Sequence, residues 1–271
     1  MKLRFQRKYL CIPYWLFLIL FVLVPILLIV YYAFTDGNGY FTWDALVAFF
    51  SSTNKLNVFL TSLLFGVINT IICLIIGYPI AYILANKHFN SNYILVMLFV
   101  MPMWINFVLR TGATRDLLTW IGLNGGKHPY FATMVGLVYN YLPFVILPLY
   151  STMLKLDRSQ IEAATDLGCN RVQVFTKSIF PQTVPGVVSA AMMVVSAAMM
   201  VFMPTMSSQV IPEILSEGKI ILFGNSIYLN FTNYQWGDGS LMALIMLVIV
   251  GITMLITRNF SEKDEGRTSL W

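Results

Sequence analysis

Long apolar runs, separated by short polar stretches, recur along the whole chain. Six of these runs contain no charged residue. Each is expected to be a helix, because a backbone inside lipid must satisfy its hydrogen bonds within its own segment. A helix needs about 20 residues to cross a bilayer core. The predicted spans are 12–34, 58–84, 93–109, 129–154, 184–206 and 241–257. The pattern therefore predicts an all-α integral membrane protein with six transmembrane helices in a single domain over residues 1–271.

The composition supports this interpretation. Only 11% of the residues are charged, against roughly 25% in an ordinary soluble domain, and 58% are hydrophobic. The first apolar run follows four basic residues near the N-terminus, as in a secretory signal, but it is too long for one. We therefore expect the run at 12–34 to be kept as the first membrane anchor.

The positions of lysine and arginine predict the orientation, because cytoplasmic loops carry the excess of both. With the N-terminus inside, twelve of the seventeen basic residues fall on the inner side and five on the outer side. Both termini are therefore predicted to be cytoplasmic. The predicted outside loop that carries Arg110, Arg115 and Lys127 goes against the rule. The basic residues are dispersed at membrane edges. We therefore expect membrane lipid as a partner and no nucleic acid.

The one long inside loop, at about 155–182, reads as two short helices joined at a glycine. Ser159 and Glu162 have the spacing of a capping box at a helix start. Gly168 stands where the first helix is expected to end, because glycine accepts the left-handed conformation of a C-terminal cap. Asn170 is a candidate cap for the second helix. A short projecting element of this kind can lie on the headgroup layer or dock on a partner protein.

The run Glu162-Ala163-Ala164-x-x-x-Gly168, followed by Pro181, resembles the EAA loop of permease subunits of bacterial ABC importers. The likeness implies the type I importer permease fold in a bacterial inner membrane. It also implies that this loop docks on a cytoplasmic ATPase and transmits its opening and closing. The implied coupling residues are Glu162, Ala163, Ala164, Asp166 and Gly168.

Further stretches are similar to one branch of that family, the spermidine/putrescine permeases of the PotB type. They are Gly77-Tyr78-Pro79, Pro102-x-Trp104-x-Asn106 with Arg110, Gly136-Leu137-Val138-Tyr139, Lys155-Leu156-Asp157 and Gly224-Asn225-x-Ile227. The likeness implies import of polyamines by alternating access. It also implies as partners a second, homologous permease chain, two ATPase subunits and an extracytoplasmic polyamine-binding protein. No G-x-x-x-x-G-K-[ST] run occurs, so ATP and magnesium are expected on the partner ATPase and no cofactor on this chain.

A pathway for polyamines should offer carboxylates at its mouth and aromatic faces within it. Cation–π contacts are worth roughly 0.5 to 2 kcal/mol each, which is weak enough to let a transported ion leave. Glu213, beyond the fifth predicted span, could attract a cation, although a solvated loop carboxylate is the simpler interpretation. The candidates within the spans, for which helix packing or anchoring is the simpler role, are Trp104, Asn106, Tyr139 and Tyr141.

Three other functions are alternatives. The first two fit the sequence less well, and the third differs only in the transported solute. An ion-driven transporter commonly carries ionisable residues in its spans, and these six spans have none. A membrane enzyme or a metal site needs a cluster of catalytic or ligating residues, but His88 and His128 are predicted on opposite sides of the membrane. A type I importer permease for another small solute shares every physical argument and differs only in the branch likeness.

Overall fold

The computed structural model describes residues 12–36, 39–86, 94–154, 158–170, 173–174 and 199–268. Throughout these ranges the regular secondary structure is helical, apart from one isolated antiparallel bridge between Thr35 and Phe41. The prediction of an all-α protein is therefore confirmed.

The first apolar run is one helical stretch with a wider turn inside it. It comprises α1 (Ile12–Leu18), a π-helical turn (Ile19–Leu23) and α2 (Val24–Ala33). A 3-10 turn (Met101–Trp104) follows α5, and residues 199–206 are also helical. The other helices are α3 (Asp44–Ser51), α4 (Thr53–Ala85), α5 (Ile94–Val100), α6 (Phe107–Trp120), α7 (Pro129–Met153), α8 (Arg158–Asp166), α9 (Val210–Leu215), α10 (Phe223–Thr232) and α11 (Trp236–Thr268).

Four helical segments in the described ranges are long and apolar enough to cross a membrane. They are Pro13–Ala33, Thr53–Ala85, Pro129–Ser151 and Trp236–Leu255. A fifth candidate is the pair Ile94–Trp104 and Phe107–Trp120, whose two halves meet at 99°. Most of the predicted span at 184–206 lies outside the described residues. The total of six spans therefore stays a prediction.

The third predicted span differs from the structure. One helix was expected over 93–109, but the helical path breaks after Trp104, and α6 then continues to Trp120. Residues 110–120 are therefore helical, although the span was predicted to end at residue 109. The break has a local cause, because Pro102 lies in a 3-10 turn and Asn106 starts a new helix as its N-cap. We call residues 101–107 the elbow.

The chain divides into two compact units. The first contains the described parts of 1–57 and 226–249. Within it, the rings of Phe34, Phe41 and Trp43 lie 5.2 to 5.9 Å apart, centroid to centroid, around the bridge at Thr35. Lys55 forms a 2.7 Å ion pair with Asp238.

The second unit contains the described parts of 58–225 and 250–271. Its core joins α4, α7 and α9 with residues 199–206 and 220–222, and its most deeply buried apolar side chains include Cys73, Leu137, Val145, Ile146, Val201, Ile211, Leu215 and Leu222. Polar contacts also hold it together. Asn69 Nδ2 donates a 2.7 Å hydrogen bond to Thr205 Oγ1, and Ser62 Oγ accepts one of 2.7 Å from the backbone N–H of Phe223. Such bonds join membrane helices across their contacts.

Candidate functional site

The elbow starts a new helix with a polar cap. Ile105 has an extended backbone, and the Asn106 side chain accepts hydrogen bonds from the backbone N–H groups of Val108 at 2.9 Å and Leu109 at 3.4 Å. These are donors that the first turn of a helix would otherwise leave without a partner. Asn106, a predicted pathway residue, therefore uses its oxygen to begin α6.

Arg110 lies one turn into α6 and is only 7% exposed. Its Nε donates a 2.8 Å hydrogen bond to Asn140 Oδ1, and its Nη1 donates a 2.9 Å bond to the carbonyl oxygen of Pro102. Its guanidinium carbon lies 5.5 Å from the centroid of the Tyr139 ring, at cation–π distance. Sequence reasoning placed this arginine in a loop. Its burial is possible because the elbow and α7 supply partners for the charge.

The three predicted aromatic pathway residues have different surroundings. Trp104 ends the 3-10 turn and is 88% exposed, and Tyr139 is 42% exposed beside Arg110. Tyr141 is 9% exposed, and its hydroxyl donates a 3.1 Å bond to the carbonyl oxygen of Pro204. The rings of Trp104 and Tyr139 are therefore exposed on this chain, whereas the Tyr141 hydroxyl contributes to the contact between α7 and residues 199–206.

A groove of about 620 Å³ lies between α6 and α7. Its lining is mostly apolar, with Arg110 and Thr114 among its polar members. The lining residues are Ile105, Leu109, Arg110, Ala113, Thr114, Leu117, Val135 and Tyr139. Two predicted pathway residues, Trp104 and Asn106, belong to the elbow. The structure brings a third, Tyr139, beside it.

Glu213 lies on α9, a short helix that packs against α6 and α7. Ile211, Pro212 and Leu215 of this helix are buried, while the Glu213 carboxylate is exposed. Among the described residues it has no ion-pair partner. A fixed helix therefore presents an unpaired negative charge at the surface of the second unit.

The C-terminal end of α8, in the loop predicted to be cytoplasmic, has the local structure that its sequence predicts. Helix α8 ends at Asp166, and Gly168 has a left-handed backbone with φ of +84°. The N–H of Gly168 bonds to the carbonyl of Thr165 at 2.9 Å, and that of Cys169 to the carbonyl of Ala164 at 3.2 Å. These two bonds form a Schellman motif with glycine at its left-handed position.

The second half of the loop begins with a reciprocal cap. The N–H of Gln173 bonds to Asn170 Oδ1 at 2.8 Å, and the N–H of Asn170 bonds to Gln173 Oε1 at 2.9 Å. The cap predicted at Asn170 is confirmed, while Gln173 was missed although the N-x-x-Q spacing is its signal. Helix α8 begins at Arg158, so Ser159 lies inside its first turn, and the capping box predicted at Ser159 and Glu162 is wrong. Pro181 lies outside the described residues.

Most of the predicted coupling residues are exposed. Glu162, Ala163, Asp166 and Gly168 are exposed, and Ala164 is half-buried. A Cβ atom added at Gly168 would meet no atom within 4 Å. Nothing in the described part of the chain therefore covers this turn.

Sequence reasoning also missed a second cavity, which lies within the first unit. Its volume is about 660 Å³. Three carboxylates border it, and one of them, that of Asp238, is paired with Lys55. The lining residues include Tyr31, Tyr32, Asp36, Asp44, Tyr234, Trp236 and Asp238. No pattern in the sequence links its two halves, near 31–48 and 234–238. In the described ranges, no group of three His, Cys, Asp or Glu side chains could hold a metal ion.

Comparisons with known proteins give consistent matches along the chain. A family model for the inner membrane component of binding-protein-dependent transport systems matches residues 77–263. The spermidine/putrescine transport system permease protein PotB of Haemophilus influenzae is 32% identical over 261 residues, which cover 88% of each chain. PotB of Escherichia coli K12 is 30% identical over 259 residues, covering 88% of this chain and 92% of that relative.

A solved structure also matches over nearly the whole length. It is a chain of a bacterial alginate ABC transporter in complex with a periplasmic protein that holds an alginate pentasaccharide. The TM-score is 0.71 at 13% identity, and the match covers 94% of this chain and 93% of that chain. At this identity the likeness concerns the fold alone.

Proposed function

This chain belongs to the family of inner membrane components of binding-protein-dependent transport systems, and we propose that it forms half of the pore of an ATP-driven polyamine importer. The predicted resemblance to ABC importer permeases and the type I permease fold are confirmed. A member of this family is a multi-pass transport subunit that works with a binding protein. The substrate, the source of energy and the pathway residues belong to the proposal.

The observation that supports a polyamine substrate most strongly is the extent of the likeness to two spermidine/putrescine permeases. The identity of 30 to 32% extends over 88% of the chain rather than over one motif. The exposed ring of Trp104 and the carboxylate of Glu213 are suited to a flexible polycation, whereas the Tyr139 ring already lies beside the Arg110 cation. Aromatic faces attract ammonium groups weakly, so the substrate can move on.

We place the entry of energy at the surface formed by Glu162, Ala163, Ala164, Asp166 and Gly168. Its left-handed turn fixes the direction in which the chain leaves α8, and its exposure leaves it available to a partner. A cytoplasmic ATPase that holds ATP and magnesium is the proposed partner. Two such subunits and a second permease chain would complete the complex, with both termini of this chain in the cytoplasm.

Uptake of labelled spermidine and putrescine tests the substrate. Proteoliposomes would hold this chain with its neighbouring ATPase, second permease and binding protein. We expect accumulation that depends on internal ATP and that other small cations do not compete away. ATP-driven uptake of a different solute, without polyamine uptake, would overturn the substrate and leave the importer architecture intact.

Replacing Trp104 with alanine is expected to slow polyamine uptake about fivefold, because a cation–π contact of about 1 kcal/mol is lost on the pathway. Trp120 provides a matched control, since it also ends a helix and is 89% exposed against 88% for Trp104. The Trp120→Ala variant should transport at the normal rate. Equal effects of the two substitutions would remove Trp104 from the pathway.

A further inference from the structure

The buried arginine of α6 connects both sides of the elbow to a neighbouring helix. Its Nη1 reaches back across the break to the carbonyl oxygen of Pro102 at 2.9 Å. Its Nε reaches Asn140 Oδ1 on α7 at 2.8 Å. One guanidinium therefore holds the 3-10 turn, the start of α6 and the middle of α7 together.

The partners of Arg110 are themselves fixed. Asn140 Nδ2 donates a 2.8 Å bond to the carbonyl oxygen of Gly136, which turns the amide oxygen toward Arg110. The carbonyl oxygen of Pro102 also accepts a 3.3 Å bond from the N–H of Ile105, so the bond from Arg110 is added to the turn itself. The flat guanidinium can bond to two acceptors while it lies near the Tyr139 ring.

The charge of Arg110 is balanced by dipoles and a ring rather than by an acid. In the described part of the chain it forms no ion pair, unlike Arg115, which is paired with Asp116 at 2.9 Å. Burying a cation without a carboxylate is costly unless its hydrogen bonds are good. The hydrogen bonds of Arg110 depend on the shape of the elbow. A change in that shape would leave the buried charge without its acceptors and destabilise this region.

We infer that Arg110 is the positioning residue of the elbow, which holds the segment with Trp104 in a fixed direction relative to α7. The inference rests on the proposed function, because Trp104 is a proposed pathway residue. Arg110 need not touch the substrate. It sets the angle at which the 3-10 turn presents Trp104, and Asn140 supplies the anchor.

Spin-label distances across the elbow test this inference without any substrate. Met101 and Leu117 are exposed on either side of the break and can carry labels as cysteines, after Cys11 and Cys169 are replaced with serine. In the reconstituted complex, we expect a narrow distance distribution for the otherwise native chain. We expect a broad or shifted one for Arg110→Gln, and a partial change for Arg110→Lys, which reaches one acceptor instead of two.

Two further variants make the outcome specific. Arg115→Gln removes a cation from the same helix at an exposed site and should leave the distribution unchanged. Asn140→Leu removes the acceptor on α7 and keeps the arginine. It should change the distance distribution as Arg110→Gln does, and it therefore tests the contact even if Arg110→Gln assembles poorly. An unchanged distribution in both Arg110→Gln and Asn140→Leu would overturn the inference.

Uptake then separates positioning from general stability. With the midpoint of thermal unfolding kept, Arg110→Gln should lower the number of polyamines imported per ATP hydrolysed by about tenfold, because both charge-assisted hydrogen bonds that fix the direction of Trp104 are lost. Normal import per ATP together with a broadened distance would overturn the positioning role. If polyamines are not the substrate, the distance measurement still tests the role of Arg110. A failure of the proposed function can therefore be distinguished from a failure of this inference.

Discussion

Replacing Gly168 with valine is expected to lower ATP-dependent uptake at least about tenfold while the chain still inserts and assembles. At φ of +84° a β-branched residue is strained by about 1 to 3 kcal/mol, so the turn after α8 should change shape to relieve the strain. Both hydrogen bonds of the Schellman motif depend on that shape. Uptake and ATP hydrolysis are measured on the same proteoliposomes. We expect ATP hydrolysis to continue without driving uptake.

Gly122 provides a control with the same backbone. It also has φ of +84°, and a Cβ atom there would likewise meet nothing within 4 Å. The valine substitution at Gly122 therefore carries the same conformational cost, at the end of α6 instead of in the loop after α8. We expect near-normal uptake from it. Normal transport by Gly168→Val would show that this loop does not transmit the energy of ATP.

Replacing Gly224 with alanine is expected to destabilise the fold. Gly224 lies in the first turn of α10, and the added Cβ would lie 2.8 Å from Ser207 Cα and closer still to the carbonyl of that residue. Backbone atoms cannot rotate away as a side chain can, so the helix must shift. Overpacking of this kind costs typically 1 to 3 kcal/mol and sometimes more.

The expected readouts are a lower midpoint of thermal unfolding in detergent and less assembled complex. The same shift would also strain the bond from the N–H of Phe223 to Ser62 Oγ. Gly251→Ala is the matched control, because Gly251 lies in α11 with nothing within 4 Å of an added Cβ. It should melt at or above the native midpoint, since alanine favours helix. Equal midpoints for the two variants would contradict the close packing at Gly224.

Features that depend on neighbours in the sequence could be predicted. The end of α8 at a left-handed Gly168 and the cap at Asn170 follow from local chemistry, and both occur as expected. The all-α fold follows from the length of the apolar runs. In each case the physical cause lies within a few residues, so the sequence alone carries it.

The elbow shows why the rest could not be predicted. A charge such as Arg110 is normally read as the end of a span, because burial needs partners. Those partners are Pro102, eight residues before it, and Asn140, thirty residues after it. Pro102 and Asn106 could have indicated a break, but no local signal indicates which distant side chain accepts from the guanidinium.

Tyr139 and Tyr141 show the same limit within one helix. Both are aromatic, and their spacing of two positions puts them on different faces of the predicted helix, but the sequence does not show which face is covered. Packing places Tyr139 beside Arg110 and directs the hydroxyl of Tyr141 to Pro204, sixty-three residues away. Likewise, Asn69 is a plausible pathway residue until Thr205 is found at 2.7 Å. Which face of a helix is covered depends on the neighbouring helix.

The separation of Arg110 and Asn140 has a consequence for the order in which the protein is made. Ribosomes release the arginine thirty residues before its anchor. Until α7 has been made, Arg110 can bond to the carbonyl oxygen of Pro102 but not to Asn140. The contact that joins α6 to α7 can therefore form only after both helices have been synthesised.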